Sequence, residues 1–239
     1  QNMKKVSIIT SVYNCEEYIE YFLENIIKQT IFNDCELIMI NAASQQNEEP
    51  IINKFCEKFK NINYFKLNSD PGLYAVWNLC IENSSAPYIT NANTDDCKAE
   101  WCLEEQSLHL DQSPNIDLVY GETLETYGKL ETFDKNNAFR IFPCYEFSLK
   151  SLLKNNSPHS SPMWRRSMHE KYGHFDPSYK YCGDYEMWVR AARQKSIFKK
   201  INSPLSLYYR NEKGLSTKQE NIKPALKEIE RIKNIKIEN

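Results

Sequence analysis

Two hydrophobic patterns alternate through the first half of the chain. "VSIITSVY" (6–13) is β-branched and nearly continuous, and it breaks at Asn14. Ile19, Phe22, Leu23, Ile26 and Ile27 then recur at the i, i+3, i+4, i+7 spacing of one helix face. "CELIMINA" (35–42) is an apolar run of buried-strand length. Ile51, Ile52, Phe55, Cys56 and Phe59 predict a second helix, and "INYFKL" (62–67) a third strand. Residues 73–83 read as a helix, "APYITNA" (86–92) as a fourth strand, 98–112 as a helix closed by Ser113-Pro114, and "NIDLVYGETL" (115–124) as a fifth strand. Strands alternating with helices across short connections predict βαβ units, a mostly parallel sheet covered on both faces. Ligands bind beyond the carboxyl ends of such strands. That rule gathers Tyr13, Asn14, Asn41, Ser44, Asp70, Asn93, Asp95 and Asp96 at one edge.

The second half is less regular. "YGKLETFD" (127–134) predicts a hairpin around Gly128, and residues 138–165 carry Pro143, Pro158 and Pro162 with moderate periodicity. "SMHEKYG" (167–173) predicts a short helix stopped by Gly173. Residues 183–195 predict a stronger helix, with Met187, Trp188 and Ala191 on one face and Arg190 and Arg193 near its end. "LSLYYRN" (205–211) reads as a strand. From Lys218 a charged helix carries Ile222, Leu226, Ile229 and Ile232 and is expected to pack on the surface. With neither repeats nor a low-complexity linker, residues 1–239 read as a single domain: a ligand-binding half (1–125), an acceptor-facing half (126–216) and a terminal helix (217–239).

Composition narrows the class. A chain of 239 residues, 41% hydrophobic and 26% charged, is ordinary for a soluble globular protein. A net charge of -2 gives no electrostatic case for nucleic acid or an anionic membrane. The eight cysteines form no C-x-x-C pair, and Cys35, Cys56 and Cys80 fall in apolar runs, which suggests free thiols in a reducing, cytoplasmic setting. No apolar run approaches the ~20 residues of a membrane span, and no signal peptide is visible. Gln1 and Asn2 ahead of Met3 suggest a cut site or an expression remnant. The Lys-rich C-terminal helix leaves peripheral contact with the inner face of a membrane open, although its glutamates weaken the idea.

The chemistry-bearing candidates each have two readings. Asp95 and Asp96 are adjacent carboxylates behind a strand end that supplies one polar group after another, "TNAN". They suit a divalent cation shared with a diphosphate, or a solvated turn capping the next helix. Asp184, after Gly183, is a candidate general base or a helix N-cap. Tyr13 with Asn14 could stack on a flat ring, or be a half-buried strand end. Asp70, before Pro71-Gly72, is either a turn residue or faces a bound nucleotide. Trp164, Arg165 and Arg166 suit an acceptor site or a surface strand. His109, His159, His169 and His174 show no ligand spacing, and His109 reads as structural. There is no G-x-x-x-x-G-K-[ST], G-x-G-x-x-G or G-x-S-x-G, so P-loop, dinucleotide and hydrolase-elbow readings lack support.

Four segments in order resemble the family 2 glycosyltransferases: "VSIITSVYNCEEYIEYFLENIIKQT", "DPGLYAVWNLCIENSSAPYITNANTDD", "SSPMWRRSMHEKYGHFD" with "GDYEMWVRAA", and "LYYRNEKGLS". The resemblance covers roughly residues 5–216. It implies a GT-A (Rossmann-like) α/β fold, and inverting transfer from a UDP-, GDP- or dTDP-sugar to a saccharide or lipid-linked saccharide acceptor. It also implies Mn²⁺ or Mg²⁺ as cofactor and a place in polysaccharide, lipopolysaccharide or glycoconjugate synthesis. Carried over, Tyr13 sits against the base, Asp95 lies near the ribose and metal, Asp96 holds the metal and Asp184 is the base. Thr10, Asn41, Asp70, Asn78 and Asn93 complete the expected nucleotide side. The chain departs from the pattern at "NAAS" (41–44), where the family has D-D-G-S, and at Asn93, where it has Asp. These departures keep a catalytically impaired nucleotide-sugar-binding domain as the alternative. A sugar nucleotidyltransferase would need a glycine-rich loop after the first strand, and "TSVYNCEEY" has no glycine.

Overall fold

The computed structural model describes residues 3–159 and 161–235. Gln1, Asn2 and the end of the terminal segment lie outside the described residues. The first half follows the predicted alternation: β1 (Val6–Val12), α1 (Ile19–Ile26), β2 (Cys35–Asn41), α2 (Glu49–Lys58), β3 (Ile62–Lys66), α3 (Leu73–Glu82) and β4 (Tyr88–Asn91). β1 pairs in parallel with both β2 and β4, and β2 with β3. Side chains alternate across the pleat, so one apolar strand feeds two cores. Val6, Ile8 and Val12 join Ile19, Phe22 and Leu23 of α1 on one face, while Ile9 joins Val76, Trp77 and Cys80 of α3 on the other. Each such buried aliphatic side chain contributes roughly 1.5–3 kcal/mol.

The remaining elements are β5 (Cys97–Lys98), α4 (Cys102–Gln112), β6 (Leu118–Thr126), β7 (Arg140–Ile141), α5 (Leu149–Lys154), β8 (Met163–Arg165), α6 (Ser167–Tyr172), α7 (Gly183–Arg193), β9 (Phe198–Tyr209) and α8 (Gln219–Asn234). The sheet order is β3-β2-β1-β4-β8-β6-β9-β5, with β7 on β6. The fifth predicted strand, β6, therefore does not lie beside β4. β8 returns from the second half and pairs antiparallel with both. The parallel pairs have the longest registers, β6 with β9 and β1 with β2.

Three expectations are corrected here. The helix read as 98–112 begins at Cys102, because Cys97 and Lys98 pair with Leu207 and Ser206 of β9. "YGKLETFD" is not a hairpin of its own. It lies in the loop between β6 and β7, whose arms pair at Leu124 with Ile141 and Glu125 with Arg140. Trp164, Arg165 and Arg166 are neither an acceptor wall nor a surface strand. Trp164 is fully buried in β8 and donates from Nε1 to His169 Nε2 (2.9 Å). Arg165 donates to the carbonyls of Leu110 and Ser113 at the end of α4, and Arg166 to Ile81 O at the end of α3. Both guanidiniums satisfy carbonyls that a helix end leaves open.

Candidate active site

The β1 and β2 ends carry the nucleotide-side candidates. Tyr13 follows β1 with 46% of its surface exposed, leaving its ring open for stacking. Asn14 takes a left-handed backbone (φ 46°), a conformation Asn tolerates better than most residues. Its Oδ1 accepts from Gln45 N–H (3.0 Å), and its own N–H donates to Ser44 Oγ (3.0 Å). Ser44 Oγ in turn donates to the buried Glu48 carboxylate (2.5 Å), which also accepts from Cys15 N–H (3.1 Å). One carboxylate thus ties the loop after β1 to the loop after β2.

Several expected nucleotide contacts are spent on the scaffold. Asn41 is buried; its amide donates to Tyr64 Oη (3.0 Å), and its Oδ1 accepts from Ser44 N–H (2.8 Å). That second bond braces Ala43, held at φ 55° where the family pattern has glycine. Thr10 is buried within β1 and donates to Ala92 O (2.9 Å). Asn78 uses both ends of its amide on Phe175, donating to its carbonyl (2.8 Å) and accepting from its N–H (3.1 Å). These three residues fix loops and strand pairing. Asp70 is an exposed turn residue whose Oδ1 accepts from Gly72 N–H (2.8 Å), and Gly72 supplies the φ of 97° that opens α3.

Asp95 and Asp96 lie at the rim between β4 and β5 and do not cap a helix, since α4 starts at Cys102 behind Trp101. Asp96 accepts from Tyr209 N–H (3.1 Å) and from the Asn93 amide (3.2 Å), and Asp95 from the Asn211 amide (3.4 Å). Among the described residues neither carboxylate forms an ion pair. Burial pushes both above the ordinary carboxylate range, and the Asp95 charge pushes Asp96 further. Two adjacent carboxylates held only by neutral donors fit a divalent cation. Among the described residues no three His, Cys, Asp or Glu side chains gather to hold a metal unaided. Such a cation would complete its oxygen shell from a ligand's phosphates and water. Asn93 turns its amide onto Asp96.

Asp184 is the second residue of α7, not its cap; Cys182 holds that position. Its carboxylate accepts from Tyr74 Oη (3.3 Å) and the Asn156 amide (3.3 Å). Burial raises its pKa, while the nearby His159 charge, its own helix backbone and these two side chains lower it. The His159 ring lies flat on Phe142 (centroids 4.7 Å apart, 19°) and edge-on to Tyr208 (5.3 Å, 78°). Burial lowers the His159 pKa against the pull of Asp184. Tyr208 adjoins Tyr209, whose N–H holds Asp96, so β9 links the two acidic centres. Gly183 lets Tyr74 approach, since a Cβ there would meet the Tyr74 ring at 2.5 Å. The loop before α7 is held from α8: Glu228 accepts the N–H groups of Lys180 (3.0 Å), Tyr181 (2.8 Å) and Cys182 (3.1 Å).

Sequence reasoning placed Tyr13, Asp95 and Asp96 at the strand edge and Asp184 at a helix start, and did not single out Tyr74, Asn156, His159, Glu48 or Glu228. Gly183 beside Asp184 was a usable signal of close approach. Glu228 carried none, being one of several glutamates on a charged helix.

Among known proteins, the chain is 28% identical over 135 residues to the minor teichoic acid biosynthesis protein GgaB of Bacillus subtilis, covering 56% of this chain. It spans only 15% of that relative's length. Its fold superposes on residues 1–349 of S. aureus TarS in complex with UDP-GlcNAc (TM-score 0.77, 17% identity, 98% of this chain and 68% of that one). It also matches the mannosyltransferase PcManGT from Pyrobaculum calidifontis in complex with GDP-Man and Mn²⁺ (TM-score 0.74, 14% identity, 100% and 67%). These likenesses establish the GT-A fold, a mixed α/β sheet flanked by helices. The sequence pattern of the family described as Glycosyl transferase family 2 matches residues 7–173, from β1 through α6, and the chain belongs to that family of glycosyltransferases.

Proposed function

We propose that the protein is an inverting glycosyltransferase that moves a sugar from a nucleotide-diphosphate donor to a hydroxyl acceptor in the synthesis of a cell-surface polymer or related glycoconjugate. The observation that carries this reading is Asp184. It is a carboxylate at a helix N-terminus, oriented by Tyr74 and Asn156, and coupled through His159 and β9 to the Asp95–Asp96 pair. The N-terminus of α7 favours the ionised form that a base needs. Asp184 takes the proton of the acceptor hydroxyl as its oxygen attacks the anomeric carbon. The bond from that carbon to the diphosphate oxygen breaks on the opposite face, so configuration inverts. Tyr13 supports the nucleotide base by stacking, and Asp95 and Asp96 would hold Mn²⁺ or Mg²⁺. When bound, that ion neutralises charge developing on the leaving diphosphate. Teichoic acid biosynthesis in a relative, and UDP-GlcNAc and GDP-Man with Mn²⁺ in structural neighbours, support a nucleotide-sugar donor and a polymeric product.

The test is a screen of UDP-, GDP- and dTDP-sugars with Mn²⁺, following release of the nucleoside diphosphate, on the parent chain and on Asp96→Asn and Asp184→Asn. Metal-dependent release that needs Asp96, and transfer that needs Asp184, is the expected result. Nucleotide binding without release from any donor would favour the impaired binding domain, which the "NAAS" and Asn93 departures motivate.

A further inference from the structure

The loops around β7 carry aromatic rings that the fold does not bury. Tyr127 is 64% exposed and stacks on Phe139, itself 44% exposed (centroids 4.4 Å apart, 12°). The Arg140 guanidinium lies over the Phe139 ring (5.6 Å) and donates from Nε to Glu125. Arg210 reaches the same carboxylate (3.5 Å). Glu125 is fully buried and anchors two half-exposed cations, while the Glu131 carboxylate accepts from Asn137 on the loop that carries the stacked rings. Arg210 stands between Tyr209, whose N–H holds Asp96, and Asn211, whose amide holds Asp95. The platform is therefore at the rim of the active site.

Positive charge gathers farther along the chain. Residues 138–155 hold Arg140, Lys150 and Lys154 against Glu146 alone, in a protein whose net charge is -2. Lys150 and Lys154 line a cleft of about 500 Å³ with Tyr145 and Asn155, and among the described residues neither lysine forms an ion pair. Asn155 precedes Asn156, which holds Asp184. Exposed rings offer a flat apolar face to a sugar, and guanidinium and ammonium groups beside them recognise phosphate or carboxylate.

We propose that this tract is the acceptor-binding surface and that its ligand is an anionic glycan. A sugar ring lies on Tyr127, and phosphate or carboxylate groups meet Arg140, Arg210 and the Lys150–Lys154 cleft. This rests on the transferase reading, which supplies the need for an acceptor. Calorimetric titrations with phosphorylated maltotetraose, tetragalacturonate and plain maltotetraose, in the presence of Mn²⁺ and a nucleoside diphosphate, test it. Expected are binding of at least one anionic probe, at least tenfold tighter than plain maltotetraose, and loss of most of that preference between about 50 and 500 mM salt. Which anionic probe binds tighter names the anion. Tyr127→Ala, at an exposed site, should weaken binding at least tenfold, and Tyr127→Phe should retain it. Lys150→Glu with Lys154→Glu should abolish the preference for charge, while Phe65→Ala, exposed on the sheet's far edge, should bind as the parent does. Equal affinity for neutral and anionic probes, or no effect of both Tyr127→Ala and the lysine reversal, would overturn the proposal. A chain that binds Mn²⁺ and nucleoside diphosphate but no anionic glycan overturns this tract alone. One that binds the glycan but no nucleoside diphosphate supports the tract and overturns the transferase reading.

Discussion

Burial and helix geometry pull the Asp184 carboxyl in opposite directions, and burial wins: its pKa lies above the ordinary value. A carboxyl with a folded pKa above its unfolded one adds stability below the unfolded value, about 3.9. That contribution is lost as pH rises through the folded value. Above the folded value, the ionised Asp184 is therefore a cost to the fold. Asp184→Asn is expected to lower transfer by about 10²–10⁴ and to raise the melting temperature, by about 2–4 °C for each kcal/mol relieved. Unchanged turnover in that variant would remove Asp184 from the role of base. His159 adds a second readout. When protonated, His159 favours ionised Asp184, so His159→Gln should move the acid limb of the pH–rate profile to higher pH. An unmoved limb would leave His159 a packing residue only.

Between elements, single carboxylates do the joining. Glu48→Ala would leave Cys15 N–H without its acceptor and Ser44 Oγ with only its longer bond to Asn14 Oδ1 (3.3 Å), at a cost of about 1–3 kcal/mol in chemical denaturation. Glu228→Gln keeps the shape but weakens the grip on three backbone N–H groups ahead of α7. It is expected to lower kcat about ten- to a hundredfold with little change in nucleotide affinity, which steady-state kinetics and a binding titration together would separate. The contrast with the sequence is instructive at this scale. β1 to β4 and α1 to α3 were legible because each is a local run with its own period, and Asp95 and Asp184 because strand ends and helix starts are local too. β8 was not legible: Met163–Arg165 is too short for a period, and its pairing with β4 and β6 is non-local. Asn41, Thr10 and Asn78 were placed on the ligand by analogy, and no sequence pattern could show that their polar atoms are taken by Tyr64, Ala92 and Phe175. Glu228 acts across a tertiary contact, which composition of α8 could not reveal.

For the molecule as a whole, ligand and metal should act as one. A nucleoside diphosphate with Mn²⁺, binding only the folded chain at about a hundred times Kd, adds about 2.7 kcal/mol. For a protein of this size that is roughly 5–10 °C in melting temperature. The gain should need both components and vanish in Asp96→Asn, because Asp95 and Asp96 offer too few ligands to hold the ion without phosphate. A comparable shift from Mn²⁺ alone would contradict that arrangement.

The pairing of β5 with β9 sets the order in which this enzyme can come into being during synthesis. Asp95 and Asp96 are flanked by β4 on one side and by Cys97–Lys98 on the other, and among the described residues the latter pair with Leu207 and Ser206 alone. A ribosome that has translated the whole nucleotide-side half has not yet made the strand that pins the second flank, nor Tyr209, whose N–H orients Asp96. Closing so long a loop comes late and slowly. The acidic pair is thus left without its second brace until β9 has emerged. Truncation anywhere before β9 should yield an inert polypeptide, not a leaky half-enzyme.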